Sequence, residues 1–146
     1  MKRCFVDTNV VVYANDRSDP PRQERAIALV EGVLHHRNGV ISIQVMQEYA
    51  SMALGKLSQD ASVVLRQLRL LENMIVVQPT ADLVRRSVEI HLAYRTSFWD
   101  AGILAAAEAS HCDLVLSEDL NAGQLYAGIK VINPFAPDFA PAALFS

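Results

Sequence analysis

Arg3-Cys4-Phe5-Val6-Asp7-Thr8-Asn9 is the stretch from which the fold reads outward. Residues 3–6 predict a short buried strand, and Asp7 closes it with a carboxylate. Residues 9–14 predict a short helix immediately afterwards. The alternation then repeats. Asp19-Pro20-Pro21 predicts a loop with Pro21 in the first turn of a helix, and Ala26, Leu29, Val30, Val33 and Leu34 recur at helical spacing. Asn38-Gly39 stops that helix, 40–42 is a brief strand, and 43–57 reads as a helix capped by Ser42. A helix over 58–71 starts at a Ser58 cap. The β-branched run 74–77 is a strand closed by Pro79, and 80–94 is a helix capped by Thr80. Ser97-Phe98-Trp99-Asp100 resembles a capping box before the Ala-rich run 101–109. Residues 113–116 and 131–132 are the last strands, with a two-glycine loop over 120–128 between them, and the tail from about 134 is irregular. About five strands alternating with helices predict an α/β fold, layered around a mainly parallel sheet.

Size and composition agree with one domain over 1–146. The chain has 146 residues, 51% hydrophobic and 20% charged, without repeat, low-complexity stretch or linker. No apolar run is long enough to span a bilayer, and the N-terminus carries no export signal, so the expected location is the cytoplasm. Cys4 and Cys112 lie in or beside apolar runs and read as buried thiols in a reducing compartment. The net charge of −3 counts against a broad phosphate-binding face, although a carboxylate cluster that binds cations accounts for part of it. Basic residues gather at Arg17, Arg22 and Arg25, at Arg66 and Arg69, and at Arg85, Arg86 and Arg95; each group is read first as a solvated helix face.

In parallel α/β sheets the functional crevice lies beyond the carboxyl ends of the strands, where strand order reverses. That rule directs attention to acidic residues after strands. Asp7 follows the first strand and Asp119 the fourth. Glu48 lies between apolar neighbours on a helix, and Asp100 opens an almost uncharged one. Each has a plainer reading: Asp7 as a helix cap, Asp100 as a first-turn carboxylate favoured by the helix dipole, Asp119 as a turn residue, Glu48 as a solvent-exposed side chain. Together they point elsewhere. Converging carboxylates repel, and a protein that gathers them binds a hard divalent cation. All-oxygen donors with no nearby His or Cys select Mg²⁺ or Mn²⁺ over Zn²⁺. Such a site suits phosphodiester hydrolysis. His35, His36, His91 and His111 lack metalloprotease spacing, and there is no nucleophile elbow, Walker loop or dinucleotide fingerprint.

The chain resembles PIN-domain proteins, in particular the VapC-type toxins of bacterial toxin–antitoxin pairs. The resemblance rests on Phe5-Val6-Asp7-Thr8-Asn9, Gln47-Glu48, Trp99-Asp100-Ala101 and Leu116-Ser117-Glu118-Asp119-Leu120. It extends to Gly123-Gln124 and Val131-Ile132-Asn133-Pro134-Phe135 and covers nearly the whole length. It implies a three-layer α/β/α fold with Asp7, Glu48, Asp100 and Asp119 as an acidic metal-binding pocket. It also implies that Asn9 holds Asp7 and that Ser117 hydrogen-bonds a metal ligand or its water; both also read as helix-start and turn residues. Family members commonly form homodimers and cut structured RNA such as transfer or ribosomal RNA. The toxins are held inactive by a cognate antitoxin whose tail occupies the acidic groove. Trp99, where the family often has tyrosine or another aromatic, is expected to pack rather than to stack on a base. The tail with Phe139, Leu144 and Phe145 is open to packing on the body, joining a dimer, or disorder.

Three other readings compete with a toxin endoribonuclease. A receiver-like signalling module also places Asp at strand ends, with Ser117 and Lys130 as partners. However, the first strand ends in one Asp, and the middle strand ends in Gln78 with no acceptor Asp. A haloacid-dehalogenase-like phosphatase would use Asp7 as nucleophile and needs a second Asp two residues on, where Asn9 stands. A PIN-like protein that binds RNA or a partner without cutting is the third.

Overall fold

Strand β1 (Cys4–Val6) consists of three consecutive core residues, each 1% exposed or less. A strand buried on both faces cannot alternate apolar and polar side chains, which is why it is a continuous apolar run. Strands β2 (Gly39–Ser42) and β4 (Leu114–Leu116) are likewise buried along their whole length. The computed structural model describes residues 1–146. With β3 (Ile75–Val77), β5 (Leu125–Tyr126) and β6 (Ile129–Ile132), the strands form one sheet in the order β3-β2-β1-β4-β6-β5. Every neighbouring pair is parallel except β5 with β6.

Six helices complete the three-layer α/β/α fold: α1 (Thr8–Ala14), α2 (Pro20–His36), α3 (Ile43–Leu54), α4 (Ala61–Leu71), α5 (Ala81–Tyr94) and α6 (Phe98–Ala109). Their starts follow local chemistry. Ser42, Thr80 and Ser97 accept from the backbone N–H of Val45, Leu83 and Asp100, satisfying donors that a helix N-terminus leaves open. Asp19 accepts from the Arg22 N–H, and Pro20 and Pro21 occupy the first turn of α2. Helix α6 is buried on nearly all sides, from Ala101 to Ala107, as a helix apolar all round must be. Its small side chains let α5 approach, where Ser87 is 1% exposed.

The structure departs from the sequence expectations at four points. The sheet has six strands rather than about five, because residues 125–126 of the expected loop pair with β6 as an antiparallel hairpin. Ala127 and Gly128, at φ 51° and 81°, take the positive angles that a two-residue type I′ hairpin turn requires. Helix α3 stops at Leu54, where Gly55 is the C-cap, instead of reaching 57. Ser58 is not the cap of α4. It sits at φ 47° with its hydroxyl donating back to the Gly55 carbonyl, and Asp60 is the N-cap residue. Finally, the tail is not wholly irregular: Pro141–Leu144 forms a 3₁₀ turn. Leu144 is 1% exposed in the core, Phe145 stacks on His36 with ring centroids 4.4 Å apart, and the Asn38 side chain donates to the Leu144 carbonyl. Burial of these apolar groups on α2 resolves the open question of the tail in favour of packing on the body.

Candidate active site

From β1 the chain runs outward through β2 to β3, then returns to pair β4 against the other side of β1. The carboxyl ends of β1 and β4 therefore flank the crevice where strand order reverses. Val6 lies opposite Leu116, and the Asp7 N–H donates to the Leu116 carbonyl at 3.1 Å. This register brings the residues after each strand, Asp7 and Ser117 to Asp119, to one edge.

Asp7 is 5% exposed. It is the N-cap of α1, as its plainer reading anticipated, and its Oδ1 accepts the Thr8 N–H at 2.7 Å. Its Oδ2 accepts the Ser117 hydroxyl at 2.7 Å and the Asn9 amide at 3.3 Å. Burial pushes its pKa up to about 6; the bonds from Ser117 and Thr8 pull it down, and the charges of Asp119 and Asp100 push it up again. Capping and clustering are thus two roles of one side chain.

Ser117 is fully buried, and its Oγ also accepts the backbone N–H of Asp119 at 3.1 Å and of Leu120 at 3.3 Å. It shapes the loop that carries Asp119 while holding Asp7. The Asn9 amide nitrogen lies 3.2 Å from Ser117 Oγ and 3.2 Å from Asp119 Oδ2, and Asn9 Oδ1 accepts the Glu118 N–H at 3.1 Å. Asn9 therefore ties α1 to the β4 loop. Asp7, Asn9, Ser117 and Asp119 form one hydrogen-bonded cluster.

Asp100 and Glu48 border it. Asp100, in the first turn of α6, lines a cleft of about 180 Å³ with Asp119, Tyr94, Arg95, Thr96 and Gln124. The Glu48 Oε1 accepts the Thr8 hydroxyl at 3.2 Å and the Gln44 amide at 3.1 Å. Sequence reasoning missed Thr8 and Gln44. The available signal was spacing: Gln44 stands four residues before Glu48 and so shares its helix face. Glu118, between Ser117 and Asp119, is engaged elsewhere, accepting the Tyr13 hydroxyl at 2.8 Å and Arg22 Nε at 2.9 Å. Trp99 contradicts the packing expectation. It is 66% exposed, with its ring edge-on to Phe98 at 5.2 Å between centroids, while its carbonyl accepts from Gln44.

Among the basic groups, Arg17, Arg66, Arg69, Arg85 and Arg95 are exposed, as a solvated face implies, whereas Arg25 and Arg86 are engaged. Arg25 donates to the carbonyls of Pro134 and Ala136, and Arg86 makes two bonds to Glu108. Cys4 and Cys112 are buried free thiols, pushed up by burial to about 11 and about 12. A wider depression of about 510 Å³ near Asn15 and Gln59 has no comparable cluster; its Asp16 and Asp60 are each tied to a neighbouring serine.

As they stand, no three His, Cys, Asp or Glu side chains converge closely enough to chelate an ion. The donor set nevertheless fits a hard divalent cation. It is all oxygen, and one buried carboxylate is held well above its ordinary range beside two like charges. No helix is long and apolar enough to cross a membrane.

A family model described as PIN domain matches residues 4–127. Solved structures similar to the chain include two toxin-related ones. VapC20 of Mycobacterium tuberculosis, a sarcin-ricin loop cleaving toxin, shares 22% identity at a TM-score of 0.64, over 80% of this chain and 89% of that one. A toxin–antitoxin complex from Klebsiella pneumoniae also shares 22% identity at 0.64, over 90% and 97%. No curated protein matches the sequence.

Proposed function

The chain belongs to the PIN-domain family, and from that premise we propose that it is a metal-dependent endoribonuclease, the toxin of a toxin–antitoxin pair. The observation that carries this reading is the buried Asp7, bonded to Ser117 and Asn9 and raised to about 6 beside Asp119 and Asp100. A carboxylate kept ionised there at neutral pH needs a compensating charge, and the nearest bonded groups, Ser117, Asn9 and Thr8, are neutral.

Asp7, Asp100, Asp119 and Glu48 would hold Mg²⁺ or Mn²⁺. The chemistry such a cation supplies when bound is activation of water for attack on phosphorus and neutralisation of charge on the phosphate. The chain's own groups do the positioning. Ser117 and Asn9 fix the Asp7 carboxylate and the Asp119 loop, while Thr8 fixes Asp7 through its N–H and Glu48 through its hydroxyl. The exposed side chains of Asp119 and Glu48 open the site to a bulky substrate. RNA, of transfer or ribosomal type, is the proposed substrate, a homodimer the proposed assembly and the cytoplasm the proposed location. The similar toxin–antitoxin complex supports an antitoxin partner, and residues 1–146 form the single domain that acts.

Incubation of the purified chain with total cellular RNA in Mg²⁺, Mn²⁺ or EDTA, with Asp100→Asn as the blank, tests this reading. Discrete metal-dependent fragments absent from the blank are the expected result. Fragments of equal yield from the blank would refute the site, and intact RNA from folded, Mn²⁺-loaded protein would favour a binding role.

A further inference from the structure

Glu48 and Asp100 come from different helices, α3 and α6. Gln44 links them. Its Nε2 donates to Glu48 Oε1 at 3.1 Å and to the carbonyl of Trp99, the residue before Asp100, at 3.0 Å. Both neighbours are pure acceptors, so the amide must present its NH₂ group to them, and each of its two hydrogens is used. The other end of the amide lies against Gly102. A Cβ built there would sit 2.6 Å from Gln44 Oε1, whereas the next nearest atoms, Gln44 Cδ at 3.6 Å and Ser87 Oγ at 3.8 Å, make ordinary contacts. Gly102 has an unremarkable helical backbone, so its need for glycine is this close approach and not a special φ. The Thr8 hydroxyl reaches the same Glu48 Oε1 at 3.2 Å. Two donors thus converge on one oxygen of Glu48, and no protein donor bonds the other.

We propose that Gln44 is a positioning residue that clamps the Glu48 carboxylate against the first turn of α6, leaving Oε2 to a divalent cation shared with the aspartates. In this arrangement Gly102 is glycine in order to admit the clamp. The inference rests on the nuclease reading and adds a residue pair to it. Neutral side chains that orient a ligand carboxylate typically change metal affinity by about 10- to 100-fold when removed.

The test is Mn²⁺ titration by calorimetry on the full chain, with thermal melts of the metal-free protein alongside. The variants are Gln44→Met, Gly102→Ala, the double variant, and Asp7→Asn as site control. Gln44→Met keeps side-chain length and removes both donors. Gly102→Ala keeps the amide and displaces it, which is tolerable because the obstructing atom is the end of a flexible side chain. Each single variant is expected to melt close to wild type and to bind Mn²⁺ about 10-fold more weakly. The double variant is expected to be no weaker than Gln44→Met, because both changes break one clamp. A merely structural role would move the melts and leave the affinity in place. Wild-type affinity in Gln44→Met, with binding lost in Asp7→Asn, overturns the clamp and leaves the nuclease reading standing. Additive losses in the double variant overturn the pairing with Gly102. Should Gln44→Met fail to fold, wild-type affinity in Gly102→Ala overturns the clamp. A wild-type protein without Mn²⁺ binding overturns the nuclease reading and the clamp with it.

Discussion

Asp7→Asn should gain stability relative to the metal-free wild type as pH rises, while destroying its function. The Asp7 carboxyl is raised from 3.8 to about 6 in the folded protein. Its contribution to stability is therefore fully present below the unfolded value and is lost as pH rises through the folded one. Holding the ionised form folded costs up to about 3 kcal/mol at neutral pH. Asparagine carries no charge and escapes that loss, but it is not neutral in every contact. Its amide must place NH₂ either against the Thr8 N–H or against the Ser117 and Asn9 donors. That mismatch is independent of pH, so the informative quantity is how the difference between wild type and variant changes with pH. Near pH 4 the protonated carboxyl and the amide are close analogues. Between about pH 4 and about pH 8 the variant should gain up to about 3 kcal/mol on wild type in EDTA, or about 6–10 °C in melting temperature. Added Mg²⁺ should stabilise wild type and not the variant, because only the wild-type site gains binding energy from it. The assay is thermal or urea unfolding by circular dichroism across pH, with and without Mg²⁺. Parallel pH profiles for the two proteins in EDTA would refute the placement of a strained carboxylate at Asp7.

Four further outcomes follow from the same contacts. Ser117→Ala removes the hydroxyl that serves Asp7 and the Asp119 and Leu120 amides, and should cost about 1–3 kcal/mol in urea unfolding because those groups stay buried. Cys4 and Cys112, with thiols raised to about 11 and about 12, should resist iodoacetamide in the native protein at mildly alkaline pH and react fully once it is denatured, as mass spectrometry would show. Leu144→Ala should destabilise by about 2–4 kcal/mol, since Leu144 is 1% exposed in the core, and should speed proteolysis of the tail. Induction of the wild-type chain alone should arrest bacterial growth, and Asp7→Asn should not; equal arrest by both would place the toxicity outside the catalytic site.

The strand-end rule made Asp7 and Asp119 legible, because a parallel sheet built from buried apolar runs leaves few places for a carboxylate except just past the strand. Asp100 was legible from its isolation in an apolar helix. Glu48 was less so: its surroundings in sequence fit an exposed residue, which it is, and its relevance depends on Thr8 and Gln44 reaching it across space. Trp99 was not legible, because an aromatic beside an apolar helix ordinarily packs, whereas this ring is 66% exposed. The hairpin strand at Leu125–Tyr126 is two residues long, too short for any periodicity, and only Ala127-Gly128 marked the turn. Leu144 lies in a Pro- and Ala-rich tail whose only structural cue is that an apolar side chain must find cover, here beside α2 and Asn38.

A carboxylate cluster can be held together in two ways, and they differ in what they leave for a ligand. Arginine or lysine partners cancel the charge and stabilise the bare protein, but then compete with any cation. Hydroxyl and amide donors orient the oxygens without supplying charge. This protein uses both, in separate places. Glu118, one residue from the cluster, takes Arg22, and Glu108 takes Arg86. Asp7, Asp119 and Glu48 take only Thr8, Asn9, Gln44, Ser117 and backbone. The sorting is sharp across Ser117-Glu118-Asp119, where alternate side chains diverge. Glu118 is satisfied by an arginine on α2 and anchors the loop, and Asp119 is held by Asn9 with its charge intact. The ion pair fixes the frame, while the neutral donors orient Asp7 and Asp119 without pairing their charge, as the proposed metal site requires. That division distinguishes the Asp7 cluster from an ordinary salt-bridge network, and it is the physical ground on which the proposed phosphodiester chemistry rests.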